Sequence, residues 1–426
     1  MDDKGYRRMS SSDRASEAYD VVVAGGGPSA ATLATLLARE GHRCLIVERG
    51  KFPRYHIGES LIPHTYGTLD RLGLLPKLKA SEYPQKHSVR FVSRRGTESD
   101  PFYFSERIPG DGSRTWQVER STFDKMMLDH ARENGVEALE ETTVSEVLFD
   151  GDRAIGVRVE NGDGAARDIH ARVTVDATGA RTLLGRQLGV REPIPSLAKG
   201  TLWSYYRGGA RLDGIDAGET TIFMIPDRGW FWYIPLPDDI VSVGIVASPE
   251  YLFGDVKEGT GDAQAILDRE VEKCSALANR LSNATRVDRV RGTRALAYVN
   301  RRTSGDGWVM IGDARAFLDP IYSSGLFLAL ASGELAADSI HAALEADDLS
   351  GPKLGAFEGA LLEGLEVVRR LIYAFYDPEF SFGAFAERYP EHRPELIDCL
   401  TGDVVGKDMS AFLGALAEMT PVPEPL

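Results

Sequence analysis

Four groups of residues in this chain have types and spacings that suit chemistry. The first is Gly25-x-Gly27-x-x-Ala30, set between an apolar run and a helical pattern. Its first glycine permits a tight turn, and its second lets backbone amides approach a pyrophosphate at the positive end of a helix. Ala30 stands where a third glycine is common, a position that needs only close helix–strand packing. Glu48 follows roughly 20 residues on, where a carboxylate can accept hydrogen bonds from ribose hydroxyls. The expected dinucleotide contacts of this unit are Gly25, Gly27, Pro28, Ser29, Ala30, Glu48 and Arg49. The second group is Ser323-Ser324-Gly325, directly before a helical pattern over 326–344. Consecutive amides there form a nest for an anion, and either serine can also cap the helix. The third is Lys86, beside a strand pattern. Such a lysine is commonly a solvated side chain, but a desolvated amine is a nucleophile and a hydrogen-bond donor. The fourth is Trp230-Phe231-Trp232-Tyr233-Ile234-Pro235, which suits a core strand or a wall that keeps water from a reaction chamber.

The surrounding elements must hold these groups in place. Tyr19–Ala24 and Cys44–Val47 are short apolar runs of the kind found in buried parallel strands, and the Leu33, Leu36, Leu37 stripe between them predicts a helix. A helix is expected around 65–72 and another over 121–133, with Ser121 as its N-cap. Strands are expected over 144–159, with a hairpin tip at Gly162-Asp163-Gly164, and again through 199–248 and 308–311. Residues 1–18 are polar and charged and suit a loose tail rather than a signal peptide. The glycine cluster breaks the uncharged stretch 21–38 and argues against a membrane span. The net charge of −15 argues against nucleic-acid or anionic-membrane partners. Cys44, Cys274 and Cys399 are far apart and lack metal-ligand spacing, so no metal site is expected, and the thiols suit a reduced, cytoplasmic protein.

Later segments carry a family resemblance. Val175-Asp176-Ala177-Thr178-Gly179 and Ile311-Gly312-Asp313-Ala314 resemble further FAD contacts of the aromatic hydroxylase superfamily. Gln117-Val118-Glu119-Arg120, continued by Phe123 and Asp124, resembles that superfamily's Val-x-Arg-x-x-Phe-Asp segment. Tyr83-Pro84-Gln85-Lys86-His87-Ser88-Val89-Arg90-Phe91 resembles Phe-x-x-Lys-x-Gly-x-x-Phe, with Tyr83 and Ser88 in place of Phe and Gly. With Trp230-x-Trp232-x-Ile234-Pro235 and Phe317-x-x-Pro320-x-x-Ser323-x-Gly325, the chain is similar to the flavin-dependent halogenases, nearest to those acting on phenols or pyrroles.

The resemblance implies an α/β fold: a Rossmann-type FAD-binding domain, an inserted antiparallel-sheet substrate domain and a helical C-terminal region. The FAD domain is expected over 19–350 and discontinuous, with substrate segments at about 85–116 and 195–285 and a helical cap over 351–426. It implies FAD contacts from Arg120, Gly312 and Asp313, and a halide cradle at Ser324 and Gly325. It also implies a wall between flavin and substrate formed by Trp230, Trp232, Ile234, Pro235, Phe317, Pro320 and Ser323. The implied reaction uses FADH2 from a separate flavin reductase, oxygen and chloride or bromide. The hypohalous acid so formed is directed by Lys86 onto a phenol or similar small aromatic, free or carrier-tethered. No second dinucleotide fingerprint marks a permanent nicotinamide site. Tryptophan halogenases carry a glutamate just before the serine of their Ser-Thr-Gly segment; here that position is Tyr322, which favours a phenolic substrate. Gly58-Glu59-Ser60-Leu61-Ile62-Pro63 resembles a loop near the flavin ring, with its role left open. His56, His64 and His87 suit structural roles. The aromatic stretch 371–382 suits either a substrate-cavity lining or plain docking of the C-terminal helices. The alternatives on the same fold are an aromatic hydroxylase, a geranylgeranyl-reductase-like enzyme and a non-catalytic flavoprotein.

Overall fold

The computed structural model describes residues 19–162, 164–226, 229–254, 262–294 and 296–425. The expected tail over 1–18 and Asp163 of the hairpin tip lie outside the described residues. Tyr19–Ala24 is the centre of a parallel sheet, flanked by Cys44–Val47 on one side and Ala166–Asp176 on the other. Glu137–Leu139 and Trp308–Met310 extend the sheet outward, also in parallel. Val21 to Ala24 of the central strand are apolar and buried because both faces are covered there, while Tyr19 and Asp20 at its start are only partly buried. Val21 and Val23 pack with the helices Pro28–Arg39, Arg120–Glu133 and Ser324–Glu345. Val22 and Ala24 face an antiparallel layer made by Thr142–Asp150, Arg153–Asn161 and the first half of Ala166–Asp176.

The chain leaves Tyr19–Ala24 through Gly25, whose φ is +102°. A Cβ there would lie 2.4 Å from the Ala177 carbonyl oxygen, so glycine is required on two counts. Two helix starts differ from the expected ones. Arg120–Glu133 begins at Arg120 with Glu119, not Ser121, at the N-cap. The Arg120 side chain explains the earlier start: it pairs with Asp124 one turn on and donates to the carbonyls of Ile57 and Gly58. Ser324–Glu345 begins two residues before 326, and its N-cap Ser323 sits at φ +54° without a side-chain capping bond.

The second sheet runs Thr285–Arg286, Gly200–Arg207, Ile240–Ala247, Trp230–Pro235, Thr220–Met224, Ser88–Val92, Phe102–Tyr103. All pairings are antiparallel except Thr220–Met224 with Ser88–Val92. Every residue of the aromatic run is buried, again because helices cover both faces. Trp230, Trp232 and Ile234 pack with the C-terminal helices Glu358–Tyr376, Phe382–Arg388, Arg393–Thr401 and Ser410–Ala417. Phe231 and Tyr233 turn to Ala263–Lys273 and Ser275–Arg280. Trp232 pairs with Gly244, where a Cβ would meet the indole at 2.2 Å, so the glycine makes room for the ring. Among the described residues no helix is long and apolar enough to cross a membrane, and the three cysteines are free thiols.

Candidate active site: a dinucleotide groove and a separate apolar cavity

A groove opens at the carboxyl ends of the parallel strands, lined by Gly25, Gly27, Pro28, Ser29, Glu48, Arg49, Arg120, Asp313, Phe317 and Gly325. Ala30 does not reach it; the residue is fully buried against the sheet, which is where close packing demands a small side chain. At Gly27 the Cβ position has Arg54 Nη2 as its nearest neighbour, 3.9 Å away, so the backbone there is open to a ligand. The helix start carries no acidic side chain in its first turn, leaving its positive end unopposed. Glu48 is held by the Gly26 and Gly50 amides, each donating over 2.8 Å. Asp176 accepts from the amides of Thr178 and Leu184 and so shapes the turn that supplies Ala177, Thr178 and Gly179 to the groove. Asp313 sits opposite this turn, its carboxyl pushed up to about 6 by burial against the opposing pull of Arg120. Gly312, at φ +58°, donates its amide to Ser332 Oγ and brings Asp313 to the groove without lining it. An open glycine turn, an unopposed helix start and fixed carboxylates are the donor and acceptor set that a dinucleotide such as FAD requires.

A second cavity, about 490 Å³, lies under the C-terminal helices. Its lining is mainly apolar and aromatic, including Phe91, Phe102, Met224, Tyr322, Leu371 and Phe375, with Arg393 and Ser381 as polar members and no carboxylate among the described residues. Groove and cavity share no lining residue. One loop serves both: Phe317 and Gly325 line the groove, while Tyr322 lines the cavity. Between these points Leu318 and Ile321 belong to the same packed cluster as Trp230, Trp232 and Ile234. The two tryptophans, Ile234, Pro235, Pro320 and Ser323 touch neither space. Ser323 closes the loop by donating its amide to the Pro320 carbonyl, 3.0 Å away. Its left-handed backbone precedes the helix start at Ser324 and Gly325, whose first-turn amides have no intrahelical acceptor. Ser324 itself is buried.

Lys86 is 2% exposed. It sits in a two-residue strand against Thr115–Trp116 and donates from Nζ to Ser60 Oγ at 2.8 Å and the Leu61 carbonyl at 3.2 Å. Burial pushes its amine down to about 7, against the weaker pull of Glu219. The Nζ lies 5.5 Å from the centre of the Phe104 ring, and Phe104 meets the cavity residue Phe102 edge-on. Tyr322 donates to the Leu371 carbonyl.

Two buried acids have no motif or spacing that assigns them a role. Asp319, at a variable position of the 317–325 segment, accepts from the Ile321 amide and from Tyr376, each over 2.9 Å. The Tyr376 hydroxyl in turn accepts from Trp230 Nε1 at 3.0 Å, so wall, loop and cap helix share one hydrogen-bonded joint. Burial raises Asp319 to about 6. Glu59, in the Gly58–Pro63 loop, is raised to about 7 by burial. The Tyr205 hydroxyl lies 2.6 Å from its Oε1 and 3.2 Å from the hydroxyl of Tyr55, a groove residue. Neither acid carries a spacing signal; buried acids become visible only once their tyrosine partners are brought alongside. Of the histidines, His56 lies on the groove with Nδ1 2.7 Å from the Ile57 carbonyl, and His64 packs edge-on against Phe327. His87 contributes its carbonyl to the Phe104 amide.

Comparison with known proteins places this arrangement. The tryptophan halogenase family model matches residues 110–381, and that of FAD dependent oxidoreductases matches residues 20–187. The 1H-pyrrole-2-carbonyl peptidyl-carrier-protein brominase of Pseudoalteromonas luteoviolacea is 31% identical, over 91% of this chain and 92% of its own. The corresponding chlorinase of Pseudomonas fluorescens is 29% identical, over 94% of this chain and 93% of its own. Among solved structures, the myxobacterial chondrochloren halogenase superposes with a TM-score of 0.79 at 35% identity, covering 90% of this chain and 91% of its own.

Proposed function

Since the chain belongs to the flavin-dependent halogenases, we propose that it halogenates a phenolic or similarly electron-rich aromatic ring, with Lys86 delivering the oxidant. Enzymes of this family are FAD-dependent oxidoreductases that use FADH2, oxygen and halide, and a separate reductase supplies the reduced flavin. Bound FAD supplies the oxidation of halide to hypohalous acid.

The chain's own residues hold and place the reactants. Gly25, Gly27, Pro28 and Ser29 offer the turn and helix start for the pyrophosphate, Glu48 and Arg49 flank the adenosine side, and Arg120 and Asp313 flank the flavin side. The amides of Ser324 and Gly325 cradle the halide beside Phe317. Trp230, Trp232, Ile234 and Pro235, with Pro320 and Ser323 bracing the loop, keep the organic ring out of the groove and water out of the space between. Lys86 meets hypohalous acid on the cavity side. Its ammonium form donates a hydrogen bond to the oxygen; its neutral form attacks the halogen, and the departing hydroxide takes the amine proton as water.

The observation that carries this reading is the division of labour: a dinucleotide groove and a ring-sized cavity with no residue in common, joined by one loop, with a desolvated lysine that lines neither but reaches the cavity residue Phe102 through the Phe104 ring. A hydroxylase needs its ring beside the flavin. The cavity's lack of a carboxylate, with Tyr322 tied to Leu371, supports a ring that its own oxygen activates. The carrier-bound pyrroles named for two relatives make a tethered ring a second class to test. The test is mass spectrometry after incubation with FAD, a flavin reductase, NADH and bromide, using phenols and pyrrole acids both free and carrier-bound. Brominated product that disappears without bromide supports the reading; hydroxylated product formed without halide overturns it.

A further inference from the structure

At the end of helix Ser324–Glu345 farthest from the halide loop, three ligand-type side chains converge. His341 and Glu345 are one helical turn apart and share a face. His42 comes from the turn between Pro28–Arg39 and Cys44–Val47. His42 Nε2 and His341 Nδ1 face each other 2.9 Å apart. With a Glu345 carboxylate oxygen, the three ligand atoms lie within 4.8 Å of one another. The imidazole rings are tilted by 58° rather than stacked, so the contact is nitrogen to nitrogen.

Two facing imidazole nitrogens are joined either by one shared proton or by one cation. Three surrounding features favour a cation. Glu40 Oε2 stands 4.0 Å from His341 Nε2, the outer nitrogen, longer than a hydrogen bond but on the side from which a carboxylate can orient a metal-bound imidazole. Both Pro28–Arg39 and Ser324–Glu345 end at this point, so two negative helix poles meet there. Asp20 also acts on His42 as a nearby negative charge, offset in part by Arg172, which stands 3.7 Å from Asp20.

We infer that His42, His341 and Glu345 form a binding site for a divalent metal of the zinc class, clamping the last turn of Ser324–Glu345 to the end of Pro28–Arg39. Two imidazole nitrogens and one carboxylate suit zinc, with water completing a tetrahedron; magnesium and calcium prefer all-oxygen sets. The 22-residue helix separates this site from Ser324 by about 30 Å, which makes its role structural.

The experiment uses the untagged, FAD-loaded full chain, dialysed with zinc chloride and then with zinc-free buffer. About one zinc per chain is expected to remain in the wild type, with affinity weakened at least about tenfold in His341→Gln and in Glu345→Gln. Zinc, but not magnesium, is expected to raise the melting temperature, and bromination rates are expected to match across all three proteins. Bound flavin and far-UV circular dichroism verify that the variants are folded. Equal zinc retention by wild type and both variants, no retention by any, or the same melting shift with magnesium overturns the inference and leaves His42 and His341 as a proton-sharing pair.

Discussion

Replacing Lys86 by methionine is expected to stabilise the fold while removing ring halogenation, and the gain in stability is expected to depend on pH. In the unfolded chain the amine titrates near 10.5; burial lowers it to about 7 in the folded one. Between these values the unfolded chain holds the proton that the folded chain has released, so wild-type stability rises with pH across that window. At about 1.4 kcal/mol for each tenfold in proton affinity, the full cost of burying the amine is about 5 kcal/mol below pH 7 and about 2 kcal/mol at pH 9. Methionine fills similar volume without a charge. It forfeits the bonds to Ser60 Oγ and the Leu61 carbonyl, about 1 kcal/mol each at any pH. Lys86→Met is therefore expected to be more stable than wild type by about 3 kcal/mol at pH 6 and nearly equal to it at pH 9. Urea unfolding of both proteins at the two pH values measures the difference. A stability gap that does not change with pH, or a methionine variant less stable at pH 6, would refute the desolvated-amine account.

Other consequences concern the groove and the loop. Gly25→Ala places a Cβ 2.4 Å from the Ala177 carbonyl at a left-handed φ, so flavin retention after gel filtration should fall at least tenfold, about 1.4 kcal/mol or more. Asp319, raised by burial from 3.8 to about 6, destabilises the fold increasingly as pH rises through that interval. Asp319→Asn should then stabilise the protein at pH 8 by about 1 kcal/mol more than at pH 5, as read from denaturant midpoints. Tyr376→Phe removes the hydroxyl that serves Asp319 Oδ2 and Trp230 Nε1, leaving Asp319 only its bond from the Ile321 amide, and should cost about 1–3 kcal/mol of stability while raising the apparent pKa of Asp319. An unchanged urea midpoint would show that the joint is not made in solution.

The parts of this protein most legible in its sequence are those whose constraint is local. Gly25 and Gly27 are needed for backbone reasons that one turn contains, and Ala30 for packing one helical turn away. The aromatic run shows its strand but not its destination. Which of Trp230 and Phe231 faces which helices depends on elements placed far along the chain. Lys86 was identifiable only through its flanking pattern. Its burial comes from Ser60 and Leu61, which no spacing rule connects to it. The misplaced cap at Ser121 has the same origin, because Ile57 and Gly58 draw Arg120 into the helix start. Glu59 and Asp319 stayed silent since their tyrosine partners arrive from the second sheet and the cap helix.

We propose that oxidant is made at the groove and used at the cavity by way of Lys86. The most direct test is to follow wild type and Lys86→Met side by side with reduced FAD, oxygen, bromide and a phenol that the wild type brominates, adding a freely diffusing scavenger of hypobromous acid to a parallel set. Both proteins are expected to retain flavin and consume oxygen equally, only the wild type is expected to brominate the phenol, and scavenger bromination is expected to persist in the variant. Phenol bromination by Lys86→Met at the wild-type rate would contradict the proposal.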